Sequence, residues 1–390
     1  MGKRVGMEVS IAAAEAVKQA NVDVISAYPI TPQTHIVEHL SELVANGEMD
    51  AEFFCVESEH SALSVCVGAA ATGARAFTCT SSQGLALMSE ITYIASGLRL
   101  PMLMILSNRT LSAPLSIWND HSDTMSIRDC GWVQFFVENG QEVYDHVFVS
   151  YRLGEDRKVL FPVIINMDGF ILSHVIEPIE LIPQEKIDQF LPPYQPLYRL
   201  DPDHPVTMGA FALPSIFAET KKAQEEALRS SIPKILETWK AFGDMTGRYY
   251  HPIETYKTED ADTLLVTMGS CSETASVAVD KMREEGRAVG LIKIRLWRPF
   301  PFDEFKKATL HAKKLVVIDR AISVGACGPV ASEVKAALYG RDDRPSIYNF
   351  VAGISGRDVT PSDFVKMVDR AEIEIEEGNK EGYEIYGVRG

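Results

Sequence analysis

The sequence predicts an α/β protein built on parallel sheets with helices on both faces. Short apolar runs such as DVISAY, ARAFTCT, LPMLMILSN and VLFPVIINMD alternate with stretches of helical spacing. Strands covered on both faces read as such near-continuous apolar runs. The alternation occurs twice, over residues 8–175 and again from residue 262, with a stretch of different character between. The boundaries this suggests are 1–175, a connecting segment 176–261, a second α/β unit 262–371 and a tail 372–390.

Taken in order, EVSIAAAEAVKQA combines helical spacing with good helix formers, and DVISAY follows as a short buried strand. THIVEHLSELVANG is an amphipathic helix stopped by Gly47. AEFFCV is a strand, EHSALSVCVGAAATG a small-residue helix, ARAFTCT a strand, QGLALMSEITYIASG a helix and LPMLMILSN a strand. WVQFFV, QEVYDHVFVSYRLG and VLFPVIINMD continue as strand, helix and strand. The proline-rich EPIELIPQEKIDQFLPPYQPLYRLDPDHP reads as an extended surface segment. A largely helical stretch follows, broken before Pro233. In the second unit TLLVTMG, AVGLIKIRLWRPF, KLVVIDRA and PSIYNFVAG read as strands. SETASVAVDKMREEG, DEFKKATLHAK and GPVASEVKAALYG are the intervening helices, and the tail is the end of a final helix and then an arm suited to pack on a neighbouring subunit.

Composition excludes some function classes. The chain has 390 residues and a net charge of −16, from 38 basic and 54 acidic side chains. Such a surface repels phosphate backbones and anionic lipid, so neither nucleic acid nor membrane is an expected partner. No run of 18 apolar residues occurs, and the N-terminus lacks an apolar signal core, so a cytoplasmic location is expected. The six cysteines form no C-x-x-C pair, which argues against zinc or an iron–sulfur cluster held by this chain alone. Cys55, Cys66 and Cys79 lie in apolar runs and read as small buried hydrophobes.

Ligands of open parallel sheets bind at the carboxyl ends of the strands. Four polar stretches fall there in the first unit: Tyr28-Pro29-Ile30-Thr31-Pro32, Glu57-Ser58-Glu59-His60, Thr80-Ser81-Ser82-Gln83-Gly84 and Ser107-Asn108-Arg109-Thr110. Each has a plain structural reading as well. The two prolines suit a simple turn or a backbone pre-organised to face a ligand. Ser58 is a candidate N-cap, and glutamate in a first helical turn favours the helix dipole. TSSQG before a helix suits phosphate, but it lacks the Walker lysine and the G-x-G-x-x-G spacing. Arg109 is a surface arginine or a fork for a carboxylate. Asp120, His121 and Asp123 allow a metal reading, although a polar loop bonding its own backbone explains them. Close packing accounts for the glycines of MGSCSET and ISVGACGPV.

Together the segments AYPITP, ESEHSAL, TSSQGLALMSE, SGLRLPMLMILSNR, LSIWNDHSD and LWRPFP, in this order over most of the chain, resemble the α subunits of the 2-oxoacid:ferredoxin oxidoreductases. The resemblance implies a thiamine-diphosphate-type pyrimidine-binding domain followed by a transketolase C-terminal-like α/β domain. It implies division of labour: a β subunit holds the diphosphate and Mg2+ and carries a [4Fe-4S] cluster, while γ and δ subunits supply further clusters. Coenzyme A would be co-substrate and ferredoxin the electron acceptor. Residue by residue, Glu59 matches the glutamate that bonds N1′ of the aminopyrimidine, with Glu57 tending to raise its pKa if both face one way. Thr31 matches the threonine beside the reacting carbonyl, and Arg109 the arginine that holds the substrate carboxylate. Tyr28, Pro29, Ile30, Ser82 and Gln83 would line the cofactor pocket. LSIWNDHSD is similar to pyruvate-specific members. A subunit for a branched-chain, aryl or 2-oxoglutarate substrate is the alternative, and a non-catalytic scaffold a third.

Overall fold

The structure is a computed structural model that describes residues 2–379 and 382–389. Met1 and tail positions 380–381 and 390 lie outside the described residues. The chain opens with β1 (Lys3–Glu8), α1 (Val9–Gln19), β2 (Val24–Ala27), α2 (Thr34–Ala45), β3 (Glu52–Cys55), α3 (Glu59–Thr72), β4 (Ala76–Thr80) and α4 (Ser82–Gly97). It continues with β5 (Leu103–Asn108), α5 (Ser122–Ser126), β6 (Val133–Phe136), α6 (Gly140–Gly154), β7 (Val163–Asp168) and β8 (Ile176–Leu181). Three helices follow, α7 (Gln184–Phe190), α8 (Pro214–Arg229) and α9 (Ile232–Thr246). The rest is β9 (Ile253–Tyr256), β10 (Thr263–Thr267), α10 (Cys271–Glu284), β11 (Val289–Ile294), β12 (Leu296–Arg298) and α11 (Phe302–Ala308). The last elements are β13 (Lys314–Asp319), α12 (Pro329–Leu338), β14 (Ser346–Val351), α13 (Pro361–Glu376) and β15 (Tyr383–Ile385).

A seven-stranded sheet has the order β12-β6-β7-β5-β4-β2-β3, parallel except at β12. Its central strands β4, β5 and β7 are buried throughout, because Phe77, Ile105 and Ile165 meet α1, α2 and α6 while Met104, Leu106 and Ile164 meet α3 and α4. The chain leaves β2 for β3 and returns on the other side of β2 as β4, so the strand order switches direction between β2 and β4. Ligands of open parallel sheets bind at the carboxyl ends beside such a switch point. A second sheet, β15-β14-β13-β10-β11-β9, is parallel except for β9.

Several sequence expectations need correction. Residues 176–191 are not a surface segment: β8 pairs antiparallel with β1, Val5 opposite Ile179, and Ile179, Ile187 and Leu191 enter the first core. Helix α9 likewise buries Ile235, Trp239 and Phe242 there. AVGLIKIRLWRPF is two strands: β11 stays in the second sheet, and β12 crosses to pair with β6. Arg295 stands at the crossing, buried, with Nη2 2.6 Å from Glu142 and Nη1 2.6 Å from Glu254. In the tail, 383–385 adds a parallel edge strand, β15, to β14 of its own sheet. Cys66 and Cys79 are buried as expected, but Cys55 is exposed, because β3 is an edge strand whose face no helix covers fully.

The two α/β units meet at Asp168, at the end of β7. Its carboxylate accepts from His121 Nε2 (2.7 Å), Ser270 N (2.8 Å) and Arg320 Nη1 (3.0 Å), and also from Ser270 Oγ. Burial alone would raise this carboxyl; Arg320, His121 and the Ser270 bonds outweigh it and hold Asp168 far below the usual carboxylate range. A depressed folded value contributes stability that is present above the unfolded value and lost as pH falls below it. Asp168→Asn is therefore expected to cost about 3–5 kcal/mol near neutral pH, as when one partner of a buried pair is removed. The difference between wild type and variant in denaturant unfolding should be flat above about pH 5 and shrink below about pH 4. A difference unchanged down to about pH 3 would refute the ionic account.

Candidate active site

The four polar stretches leave the ends of β2, β3, β4 and β5 on one edge of the first sheet. Ser58 caps α3 with its Oγ accepting from Ser61 N at 3.2 Å, which sets Glu59 at the first helical position. Glu59 is buried (8% exposed), while Glu57 is exposed and its Oε1 accepts from Ser61 Oγ at 2.5 Å. That bond holds Glu57 below its ordinary value. The two carboxylates thus lie in different surroundings, one in solvent and one inside.

Glu59 packs against the first turn of α4. A Cβ on Gly84 would stand 2.8 Å from both Cγ and Oε1 of Glu59 and would collide with Thr80 Oγ1. The Thr80 hydroxyl is buried and has no hydrogen-bond partner among the described residues. A carboxyl, an unpartnered hydroxyl and a bare glycine therefore share one notch at the switch point, and a flat heterocycle with ring nitrogens fits those donors and acceptors. Gly84→Ala is expected to push Glu59 out of place, lowering turnover at least tenfold and destabilising by about 1–3 kcal/mol through overpacking. Turnover and thermal unfolding of the same preparation check this; wild-type turnover would show that the notch is not used.

Arg109 is buried (7% exposed) and carries no carboxylate ion pair among the described residues. Its Nη1 donates to Thr31 O and its Nε to Ser116 O, both at 2.9 Å. Burial pulls its pKa below the ordinary arginine value, with Asp123 opposing. A buried cation held by two neutral carbonyls retains its attraction for an anion. The elbow is built around it: Gln33 Nε2 donates to Tyr28 O at 2.8 Å, and Thr31–Pro32 is cis. Tyr28, Pro29 and Thr31 are exposed at the rim, and Ile30 is half-buried.

The residue that joins these parts is Asp123, whose role the sequence did not reveal. Its Oδ2 accepts from Ser82 N (3.1 Å) and Arg109 N (2.9 Å), and its Oδ1 from Asn108 Nδ2 (3.0 Å) and Thr124 N (2.8 Å). Burial pushes this carboxyl up to about 7 against those four bonds. Asp120 instead accepts from Ser122, and His121 reaches Asp168, so the three members of NDHSD point to separate partners. The TSSQG turn is not an open phosphate cradle. Ser82 N is committed to Asp123 and Gly84 N to Ser81 O, and Ser82 Oγ lies 2.6 Å from Thr110 O and 2.5 Å from Gln83 Oε1. Packing explains Gly269 and Gly328, where a Cβ would crowd Asp168 and His121 or collide with Asp319, but not Gly325, which has open space around it and is required by its left-handed φ of 86°.

Residues 15–238 match the family described as pyruvate flavodoxin/ferredoxin oxidoreductase, thiamine diP-bdg, and residues 261–364 match pyruvate:ferredoxin oxidoreductase core domain II. The pyruvate synthase subunit PorA of Methanothermobacter thermautotrophicus is 48% identical, with 93% of each chain covered. The ketoisovalerate oxidoreductase subunit VorA of Pyrococcus horikoshii is 45% identical over 94% of this chain and 93% of that one. The fold matches 2-oxoglutarate:ferredoxin oxidoreductase from Magnetococcus marinus with a TM-score of 0.69 at 20% identity, over 95% of this chain and 65% of that one. It also matches a split-gene transketolase described as an inactive beta4 tetramer, with a TM-score of 0.53 at 12% identity, over 94% of this chain and 98% of that one.

Proposed function

The chain belongs to the pyruvate flavodoxin/ferredoxin oxidoreductase family, and from that premise we propose that it is the α subunit of a thiamine-diphosphate-dependent pyruvate:ferredoxin oxidoreductase. The reaction is pyruvate plus coenzyme A to acetyl-CoA and carbon dioxide, with two electrons passed singly to ferredoxin, and it is reversible. The observation that carries the reading is Arg109: a buried guanidinium with no carboxylate ion pair among the described residues, bonded to the Thr31 carbonyl at the sheet's switch point.

Thiamine diphosphate, when bound, supplies the electron sink that lets carbon dioxide leave a 2-oxoacid. Glu59 and Thr80 are the residues of this chain that would hold its aminopyrimidine, Glu59 by keeping a proton shared with N1′. Arg109 binds the substrate carboxylate, and Thr31, beside it on the rim, orients the ketone oxygen. Tyr28, Pro29, Ile30 and Gln83 wall the pocket, and Ser82 keeps the loop in shape through Asp123.

Helix α4 starts at the site, and its outward face carries Leu87, Tyr93 and Ile94 beside Glu90. An apolar helix stripe in solvent marks a surface meant for another chain. A β subunit seated there would bring the diphosphate and Mg2+ half of the site together with a [4Fe-4S] cluster, and γ and δ subunits would complete the electron path. No helix among the described residues is long and apolar enough to cross a membrane, and the reading places the complex in the cytoplasm.

The PorA and VorA relatives are almost equally similar, so identity alone does not choose between pyruvate and a branched 2-oxoacid. The likeness of LSIWNDHSD to the pyruvate-specific members is what favours pyruvate; the contacts of Ser116 and Asp123 with Arg109 hold a carboxylate fork that any 2-oxoacid would use. The test is viologen or ferredoxin reduction by the purified complex against a panel of 2-oxoacids. Pyruvate is expected to give the highest kcat/KM. A preference for a bulkier acid would reject the substrate, and no reduction with any 2-oxoacid would reject the reaction.

A further inference from the structure

The segment between α7 and the middle of α8 is a poor surface for solvent. Residues 205–218, PVTMGAFALPSIFA, contain no charged side chain in a chain of net charge −16. Phe211 is 87% exposed, and Leu213, Ile216 and Phe217 are each at least half exposed. Helix α8 has 16 residues and fully buries none of them. In proteins most helical stability comes from packing an amphipathic face; the end of α8 packs on the first core through Ala227 and Leu228, but Ile216 and Phe217 of its first turns stay exposed among the described residues.

The arm is nevertheless held in a definite place. Leu200 N donates to Ala71 O at 2.8 Å, at the end of α3. Met208 packs on the cluster formed by α3 and α4. Gln224 Nε2 donates to Ser96 Oγ at 3.1 Å, at the end of α4. These attachments lay the segment across the C-terminal ends of α3 and α4. The exposed face of α4 begins at the site and passes Leu87, Glu90, Tyr93 and Ile94 toward that same end. A largely apolar face, interrupted by the exposed Glu90, thus runs from the site to the arm.

We infer that residues 205–217 are a clasp that grips the subunit seated on α4, an inference that rests on the reading of this chain as half of a shared site. Phe211, Phe217, Leu213, Ile216 and Val206 offer on the order of 500 Å² of apolar area. A stable interface needs about 800 Å² per partner, which the arm reaches only together with the α4 stripe. A chain covering both must also cover the site mouth. A second copy on the arm alone would have the smaller area, and it would bring another −16 charge toward the first. The clasped surface on the partner subunit is accordingly apolar and uncharged, with pockets for two phenylalanine rings.

The test uses the complex purified with its partner subunits and the variants Phe211→Asp and Phe217→Asp. Association is measured by light scattering or sedimentation over a dilution series, and turnover at saturating partner concentration. Each variant is expected to weaken association about 30-fold or more, as for central aromatic anchors, with turnover at saturation within twofold of wild type. Unchanged association overturns the clasp. So does unchanged association with the partner combined with conversion of the isolated chain from dimer to monomer, which would assign the arm to self-association. Weakened association in a complex that turns over no 2-oxoacid would uphold the clasp and reject the reaction, so the two readings fail separately.

Discussion

Glu59→Gln in the assembled complex is expected to lower turnover with pyruvate by about 10³-fold or more, within the range carried by a positioned acid–base group. Glutamine keeps the shape that fits over Gly84 and beside Thr80. It cannot give up or take a proton at the carboxyl position, so loss of function would report proton chemistry and not packing. Two controls make the outcome decisive. Subunit association should match wild type, because Glu59 is buried in the notch and not on the outward face of α4. The KM for the 2-oxoacid should change little, since the substrate carboxylate is assigned to Arg109. Turnover within tenfold of wild type would remove Glu59 from the site and leave the scaffold reading standing.

Arg109→Ala should give the opposite signature. The loss of a charge-assisted contact to a carboxylate corresponds to a KM about 10- to 150-fold higher, with a much smaller fall in kcat. Arg109 also ties down the Thr31 and Ser116 carbonyls, so the alanine variant loosens the elbow. Arg109→Lys separates the two roles. Lysine keeps the charge but does not reproduce the planar fork, so its KM should lie between those of alanine and wild type. If Arg109→Ala leaves KM unchanged while lowering thermal stability, the arginine is only a brace for the elbow and the carboxylate assignment falls.

Much of the site was legible in the sequence because its ingredients are local. A strand that stops at a proline, a serine before a glutamate at a helix start and an arginine after a buried run each follow from short-range pattern. Once the strands are parallel, their carboxyl ends share one edge, so Thr31, Glu59, Ser82 and Arg109 had to be neighbours in the broad sense. What pattern did not contain is which atoms meet. Asp123 was visible only as one acidic residue in a polar loop. Its importance lies in four donors, the furthest 41 positions away in sequence. Gly84 looked like part of a phosphate turn, and its use is the close approach of Glu59.

The same division holds for the architecture. The sequence by itself determined the alternation of strands and helices and two parallel sheets, because burial on both faces leaves a period that side chains must obey. It also determined the kinds of residue at the strand ends. Only the tertiary structure decided that β8 and α9 belong to the first core and that β12 leaves its own unit to pair with β6. It alone tied the two units through Asp168, His121 and Arg320, which are far apart in the chain. The physical reason is the same in each case. An edge strand accepts any backbone with free N–H and C=O groups, and a buried carboxylate accepts any donor within reach. Distance in space selects the partner, and spacing along the chain does not record it.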